Sequence, residues 1–362
     1  MKSKQIGDAA ERLFQKALAA QTSGQFAEAE RLYRLAIGMA PSRPGPRHNL
    51  GTLLRGLGRL EEARDVLTAV LEREPGQLGV QYVLGMVLMG LGDYPRGWPL
   101  YEARRGLPEL KIITPTLPFP EWKGEDLKGR RIVLFPEQGL GDNIQFARFA
   151  LTLRDQGASV LLLCRPPLAR LLADRLDGVE VQAAEGAVEM GEPDFWALFG
   201  SLPIGLGLTL ETIPTAPYLC APAGSAGPAA GGRRAGLVTK GNPVHANDAR
   251  RSLQAADIER LRALPLDFVS LHPEATEAKD FADTAAIVEG LDLVVTVDTS
   301  VAHLAGAMGK RTLVLVPGFA TDWRWLQGRS DSPWYPSMTL FRSTVDGDWS
   351  DAFAGLEAAL RQ

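Results

Sequence analysis

Gly24-Gln-Phe-Ala-Glu-Ala-Glu-Arg-Leu-Tyr33 returns 34 residues later as Gly58-Arg-Leu-Glu-Glu-Ala-Arg-Asp-Val-Leu67, and again as Gly92-Asp-Tyr-Pro-Arg-Gly-Trp-Pro-Leu-Tyr101. Four columns line up at that period: Gly24/Gly58/Gly92, Phe26/Leu60/Tyr94, Ala29/Ala63/Gly97 and Tyr33/Leu67/Tyr101. Pro41 and Pro75 each follow their glycine by 17 residues, and Gly51 and Gly85 form a further matched pair. The pattern predicts two antiparallel helices per unit. Small residues let the helices approach and large ones fill the space between them. Three units, over about 10–108, are near the minimum that buries a continuous core.

A 34-residue period with a glycine turn, small residues at the helix crossing and a closing proline resembles the tetratricopeptide repeat. Such solenoids bind partners on the concave side, which the first helix of each repeat lines. In this register that side carries Phe14, Leu18 and Gln21, then His48, Thr52 and Arg55, then Tyr82, Met86 and Met89. This is an apolar, aromatic and methionine-rich lining, suited to an apolar polypeptide segment. The other reading places Met86 and Met89 in the core, or against the next domain. A carboxylate clamp for acidic peptide tails is not matched, because Lys and Asn would stand where Phe14 and Leu18 are.

The whole chain has 362 residues, 45% apolar and 23% charged, which is globular and long enough for two or three domains. The net charge of −4 excludes a nucleic-acid footprint over the whole chain. It is unevenly placed: residues 1–108 are net +4 and the remainder net −8, which hints at different partners for the two parts. Cys164 and Cys220 cannot build a disulfide framework and suggest a reducing compartment. No apolar run approaches the roughly 18 residues that would span a bilayer, and Met1–Glu11 is not a signal peptide. We therefore expect a cytoplasmic protein without an integral membrane segment. His48, His245, His272 and His303 are scattered and offer no metal-ligand spacing.

From Leu107 to Gly129 the helical periodicity stops at Pro108, Pro115, Pro118 and Pro120, which predicts an ordered connector. Then strands and helices alternate. Strands are expected at Arg131–Phe135, Ser159–Cys164, Ala235–Thr239, Leu266–Leu271, Asp292–Val297 and Thr312–Val316. Helices are expected at Asp142–Gln156, Pro166–Ala173, Ala255–Ala263, Thr284–Gly290 and Ser300–Met308. The Ala/Gly/Pro-rich stretch 221–234 reads as a hinge. The fold class is thus α + α/β: helical repeats over 1–108, a linker over 109–130, and two parallel-sheet lobes over 131–225 and 226–362. Ligands in such lobes bind where strand C-termini face a cleft.

Three elements there carry chemistry. The first strand runs into Pro136-Glu137-Gln138-Gly139-Leu140-Gly141-Asp142-Asn143 and a helix. Gly139 and Gly141 permit close backbone approach to a ligand. Asp142 is the candidate general base, able to take a proton from an attacking hydroxyl, and Glu137 is the second candidate. Asp142 also suits a plain helix N-cap. A dinucleotide fingerprint is the rival reading; it lacks the third glycine, which falls at Ile144, and the acidic residue for a ribose. In the second lobe Asp298-Thr299-Ser300 opens a helix that carries His303. Backbone N–H groups and hydroxyls there suit a diphosphate, Asp298 would brace the turn or meet a ribose, and His303 could donate to a phosphate; the other readings are an N-cap for Asp298 and a packed, hydrogen-bonded core histidine for His303. The third element is the loop Lys240–Ser252, which gathers Lys240, Arg250 and Arg251 with Asn242 and Asn247. Such a cluster could neutralise a leaving diphosphate without metal. Asp346-Gly347-Asp348 reads as a coincidental Asp-x-Asp.

The set of motifs resembles the lipopolysaccharide heptosyltransferases, family 9 glycosyltransferases of the GT-B fold. The carriers are Gly141-Asp142 and Asp298-Thr-Ser-Val-Ala-His-Leu304. The fuller strings resemble a bacterial group that joins tetratricopeptide repeats to a heptosyltransferase-like module. They are Glu137–Asp142, Gly241-Asn-Pro243, Asn247-Asp248 with Arg251-Ser252, Asp280–Thr284, and Asp322-Trp-Arg-Trp325 with Ser332-Pro-Trp-Tyr-Pro336. The resemblance implies metal-independent, inverting transfer of a sugar from a nucleotide sugar, with no cofactor. It puts Asp142 at the base position and Asp298, Thr299 and His303 at the donor-phosphate turn. Arg251 falls about where heptosyltransferases use a lysine. Lys240 departs from the pattern, and the first lobe is short. A trimmed acceptor lobe leaves room for a polypeptide acceptor presented by the repeats. That arrangement resembles repeat-bearing protein glycosyltransferases, including those acting on flagellin. The alternatives are a non-catalytic adaptor with a degenerate GT-B module and a surface-glycan glycosyltransferase.

Overall fold

The computed structural model describes residues 2–225, 233–244 and 247–361. Its backbone divides into two compact units. One comprises residues 1–111 with the segment Phe319–Gln327; the other comprises 112–318 and 328–362.

The first unit is built from three helix pairs: α1 (Lys2–Thr22) with α2 (Phe26–Met39), α3 (Pro44–Gly56) with α4 (Leu60–Leu71), and α5 (Leu78–Gly90) with α6 (Tyr94–Tyr101). Gly24, Gly58 and Gly92 sit in the three inter-helix turns with φ of +75°, +74° and +86°. A side chain strains that left-handed backbone, which explains why the period is kept by glycine. The small-residue column is equally physical. A β-carbon at Gly85 would lie 2.8 Å from the Tyr101 nitrogen, and one at Gly97 would lie 3.1 Å from the Gly85 carbonyl. Ala29, Ala63, Tyr33 and Leu67 are buried in the core with Leu53, Leu54 and Val87.

This unit also corrects the expected layout. The second lobe is not one unbroken stretch, because Phe319–Gln327 packs with the helices. The Phe319 ring stacks on Phe26 at 4.4 Å with the planes 4° apart. It fills the place of a β-carbon at Gly56, which would come within 2.7 Å of it. The Ala320 N–H donates to the Gly56 carbonyl at 2.8 Å, and the Gln327 N–H to the Gly90 carbonyl at 3.2 Å. Both carbonyls end a helix and would otherwise lack an intrahelical donor. Trp323 lies edge-on to Trp98 at 5.1 Å and also meets Tyr94 and Tyr101.

The expected concave lining is divided. Met89 is fully buried. A β-carbon at Gly97 would lie 2.6 Å from its Cγ, so Met89 belongs to the α5–α6 core rather than to a groove. Phe14, Leu18, Tyr82 and Met86 are half-buried; Phe14 meets the Tyr33 ring at 6.1 Å and Tyr82 stacks on Tyr101 at 5.5 Å. Burial pulls the Arg55 pKa below the ordinary arginine range, opposed by the nearby Asp322 carboxylate.

The second unit holds two Rossmann-like lobes. The first contains β1 (Arg131–Phe135), α7 (Leu140–Asp155), β2 (Ser159–Cys164), α8 (Ala169–Arg175), β3 (Val179–Ala183), β4 (Phe195–Leu198) and the short α9 (Leu202–Gly205). Its strands are parallel in the order β3-β2-β1-β4. The connector joins this sheet beside β4, where the Trp122 N–H donates to the Trp196 carbonyl at 2.8 Å. The second lobe contains β5 (Arg234–Val238), α10 (Asp248–Arg251), α11 (Ala255–Arg262), β6 (Asp267–Ser270), α12 (Phe281–Glu289), β7 (Leu293–Val297), α13 (Ser300–Ala307), β8 (Thr312–Val316), β9 (Met338–Arg342) and α14 (Ser350–Leu360). Its order is β6-β5-β7-β8-β9, all parallel. The chain order reverses direction beside β1 in the first lobe and between β5 and β7 in the second. Those are the topological switch points at which α/β sheets bind ligands. Residues 226–232, within the expected hinge and at the expected lobe boundary, lie outside the described residues.

The lobes of this unit are joined by buried and exposed contacts. Arg148 of α7 donates from Nη1 to the carbonyls of Pro214 at 2.7 Å and Trp334 at 2.9 Å. Trp334 is edge-on to Phe146 and Phe149 of the same helix. Arg170 of α8 grips both carboxylate oxygens of Asp280, at 2.8 and 2.6 Å. Asp280 also caps α12, accepting from the N–H groups of Ala282 and Asp283.

Candidate functional site

The loop after β1 is held from three sides. Gln138 adopts a left-handed φ of +61°, a conformation uncommon for a residue with a side chain. Arg165, just beyond β2, donates to the Gln138 carbonyl. Asn143, fully buried in α7, donates to the carbonyls of Glu137 at 3.0 Å and Gly139 at 2.8 Å. Glu137 is itself buried, and its carboxylate accepts the Gly200 N–H beyond β4. Glu137 therefore ties two strand ends together at the switch point. Asn143 and Arg165 were not among the expected site residues. The signal for Asn143 was its place as the first buried polar residue of an otherwise apolar helix face.

Asp142 is the third residue of α7 rather than its N-cap. Its Oδ2 accepts the N–H of Gly139, the capping residue, at 2.8 Å. The carboxylate thus lies at the N-terminal end of a 16-residue helix.

In the second lobe the loops after β5 and β7 are stitched together. Arg251 donates from Nε to Asp248 at 2.9 Å and from Nη1 to the Asp298 carbonyl at 2.9 Å. The Gly241 N–H donates to the Ser252 hydroxyl, which donates in turn to Asp248. A β-carbon at Gly241 would overlap both Arg251 and Asp248, at 2.3 and 2.4 Å. Asn242 accepts the Val244 N–H in a tight turn, and Asn247 stands at the N-cap position of α10. Lys240 points to solvent and pairs with Glu274 at 2.6 Å. So Arg251 braces the two switch-point loops, Lys240 faces a carboxylate, and His245 lies outside the described residues. His272, after β6, accepts the Thr239 N–H on Nε2 at 3.1 Å. Burial holds its pKa below the ordinary histidine value; Glu274 pulls it up and Lys240 pushes it down.

Thr299 holds the N-cap position of α13 without a side-chain capping bond, and its hydroxyl lies 3.2 Å from that of Thr296. Asp298, Thr299 and Ser300 are half-buried at the β7 end. His303 is buried one turn into the helix, with Nδ1 3.0 Å from the Tyr335 hydroxyl. The N-termini of α7 and α13 meet: a β-carbon at Gly141 would lie 2.7 Å from His303 Cδ2 and 3.5 Å from Ser300 Cα. The fold therefore brings Gly139, Gly141, Asp142, Thr299, Ser300 and His303 to one place, with Arg251 bound to the carbonyl of the adjoining Asp298; Lys240 is turned to Glu274 instead. Asp348 belongs elsewhere; it accepts the N–H and hydroxyl of Ser350 at the start of α14. Among the described residues no three His, Cys, Asp or Glu side chains gather as a metal-holding group, and no helix is long and apolar enough to cross a membrane.

The helical unit has a match in sequence. Residues 20–87 match the tetratricopeptide repeat family. The chain is 27% identical over 380 aligned positions to Protein FlbA of Caulobacter vibrioides, covering 90% of this chain and 63% of FlbA. It thus spans less than two thirds of that relative. Among solved structures, a family 9 glycosyl transferase of Veillonella parvula is similar over 66% of this chain and 91% of its own, at 14% identity and a TM-score of 0.42. A mutant O-GlcNAc transferase of Thermobaculum terrenum is similar over 100% of this chain and 92% of its own, at 15% identity and a TM-score of 0.31. The chain carries tetratricopeptide repeats ahead of two Rossmann-like, parallel-sheet lobes.

Proposed function

We propose that the two lobes form a GT-B glycosyltransferase that moves a sugar from a nucleotide-sugar donor to a polypeptide acceptor recruited by the repeats. The observation that carries this reading is the meeting of α7 and α13 at Gly141 and His303. It sets a carboxylate from one lobe beside a helix N-terminus from the other. Asp142 takes the proton from the attacking acceptor hydroxyl as that oxygen bonds the anomeric carbon. The bond to the donor phosphate breaks, and the leaving diphosphate takes its electron pair. The N–H groups and hydroxyls of Thr299 and Ser300, with His303, receive that charge. Arg251 supports the turn from beneath, and no divalent metal is required. Glu137 is the second candidate, because its carboxylate is buried where it ties the β1 and β4 ends together through the Gly200 N–H.

A second reading, a non-catalytic adaptor, is favoured by one feature: Lys240 and Arg251 are both paired with carboxylates. A thermal-shift screen against UDP, GDP, ADP, dTDP and CMP and their sugars separates the two. A true donor at 100 times its Kd adds about 2.7 kcal/mol of stability. Stabilisation by one nucleotide class, followed by transfer to a polypeptide, is expected. No shift with any of them would leave the adaptor.

A further inference from the structure

Arg55 is a half-buried cation whose guanidinium has no acceptor. It stands in the last turn of α3, the first helix of the middle repeat. Its Nε is sealed from solvent without a partner. Its terminal nitrogens are not sealed, and among the described residues they make no hydrogen bond or ion pair. A guanidinium only donates and keeps its charge at any ordinary pH. Burying part of it removes hydration that nothing in the fold replaces, which works against the folded chain. The C-terminal end of α3 offsets only part of that loss. Burial also outweighs the pull of Asp322, the nearby carboxylate. Asp322 is engaged by its own neighbour: both of its oxygens accept from Nη1 of Arg324 at 3.0 Å, and one accepts the Arg324 N–H at 2.9 Å.

The rest of the expected lining supplies no charge. Gln21 accepts the Tyr33 hydroxyl at 2.7 Å, and the Thr52 hydroxyl donates to the His48 carbonyl at 3.0 Å. Burial favours the neutral form of His48. Phe14 and Leu18 of the first repeat and Tyr82 and Met86 of the third are half-buried. From the first repeat to the third the lining therefore reads apolar, cationic, apolar.

We propose that Arg55 anchors a side-chain carboxylate, an aspartate or glutamate set within an otherwise apolar, extended polypeptide segment that binds along the repeats. A carboxylate supplies the acceptors that the guanidinium lacks, and the fork of an arginine suits it. The middle position selects an internal side chain over a chain terminus, because a terminus there would leave the apolar lining of one outer repeat unused. The anchor rests on the reading that the repeats recruit a polypeptide; it does not depend on the chemistry of the two lobes.

The test uses the full chain and acetylated, amidated nonapeptides with a central glutamate, glutamine or lysine, flanked by random mixtures of leucine, phenylalanine, valine and alanine. An array finds the members that bind, and fluorescence anisotropy measures the affinity of the tightest ones and of their counterparts. The wild type should favour glutamate members over the matching glutamine members by about tenfold to a hundredfold, as for hydrogen bonds to a charged group. Arg55→Met keeps the apolar stem and should abolish that preference. It should also unfold in urea at a midpoint no lower than the wild type, since it deletes an unanswered charge. Equal affinity for glutamate and glutamine members, a glutamate preference that persists in Arg55→Met, or binding of no member overturns the proposal. So does a clear fall in the midpoint of Arg55→Met, which would make the guanidinium a structural element. Sugar transfer is a separate measurement. Glutamate peptides held through Arg55 while no polypeptide is glycosylated support the anchor and count against the glycosyl-transfer reading. Transfer to a polypeptide with the same kcat/KM in Arg55→Met overturns the anchor and leaves that reading standing.

Discussion

The imidazole of His303 occupies the space that a β-carbon at Gly141 would need, 2.7 Å from Cδ2. Gly141 is in the first turn of α7, where its backbone is ordinary helix and any residue could serve on conformational grounds. The glycine is there because α13 comes so close. Gly141→Ala should therefore destabilise the two-lobe unit by about 1–3 kcal/mol, the usual cost of overpacking. It should also weaken nucleotide binding by moving His303. Urea unfolding and nucleotide titration check both; an alanine variant neutral in each would mean that the helices are not in contact.

Asp142→Asn keeps an oxygen to accept the Gly139 N–H and should leave the fold intact. It removes the proton acceptor, so transfer should slow by about 10²–10⁴-fold. Donor affinity should change little. Steady-state kinetics with saturating donor tests this, and near-normal turnover would move the base elsewhere. Glu137→Gln, in contrast, leaves a weaker acceptor for a buried N–H and should appear mainly as lost stability.

His272 predicts a pH dependence of stability. Its Nε2 accepts the Thr239 N–H, which only the neutral ring can do. Its folded pKa lies below the ordinary value, so the unfolded chain binds the proton more readily. The associated stability is complete above the unfolded value of about 6.5 and is lost as pH falls through the folded value. His48 is lowered in the same direction by burial. Thermal unfolding between pH 8 and 5 should show a decline on the acid side, smaller in His272→Gln. A His272→Gln profile parallel to that of the wild type would remove His272 from the explanation.

Trp323 should matter to the helical unit although it is 222 residues beyond Tyr101 in the chain. It meets Tyr94, Trp98 and Tyr101 and is nearly fully buried. Trp323→Ala should cost about 3–5 kcal/mol, as for other buried aromatics. Hydrogen exchange should locate the loss in α5 and α6. Unchanged protection there would show that the segment contributes nothing to the repeats.

Transfer should survive excess chelator, because the groups proposed to meet the leaving diphosphate are N–H groups, hydroxyls and His303. Activity lost on chelation and restored by manganese would overturn that part of the mechanism.

The 34-residue period was legible because it is a local rule repeated. Gly24, Gly58 and Gly92 answer to backbone conformation, and Gly85 and Gly97 to helix approach within one hairpin. Buried parallel strands such as Arg131–Phe135, Ser159–Cys164 and Thr312–Val316 were legible for the same reason, as short apolar runs between turns. Strands with weaker runs, β3, β4 and β9, were not. The motif residues after β1, β5 and β7 were legible as types. Their tasks were not, since these depend on partners far away in sequence. Glu137 meets Gly200, Arg251 meets Asp298, and His303 meets Gly141 and Tyr335. The same holds for Phe319–Gln327. Gly56 and Gly90 are also 34 apart, with Thr22 at the matching place in the first repeat, yet only the fold shows that Phe319 needs the room at Gly56. Local conformation leaves its mark on neighbouring residues; a hydrogen-bond partner or a filled space is chosen by whatever the finished fold brings beside it.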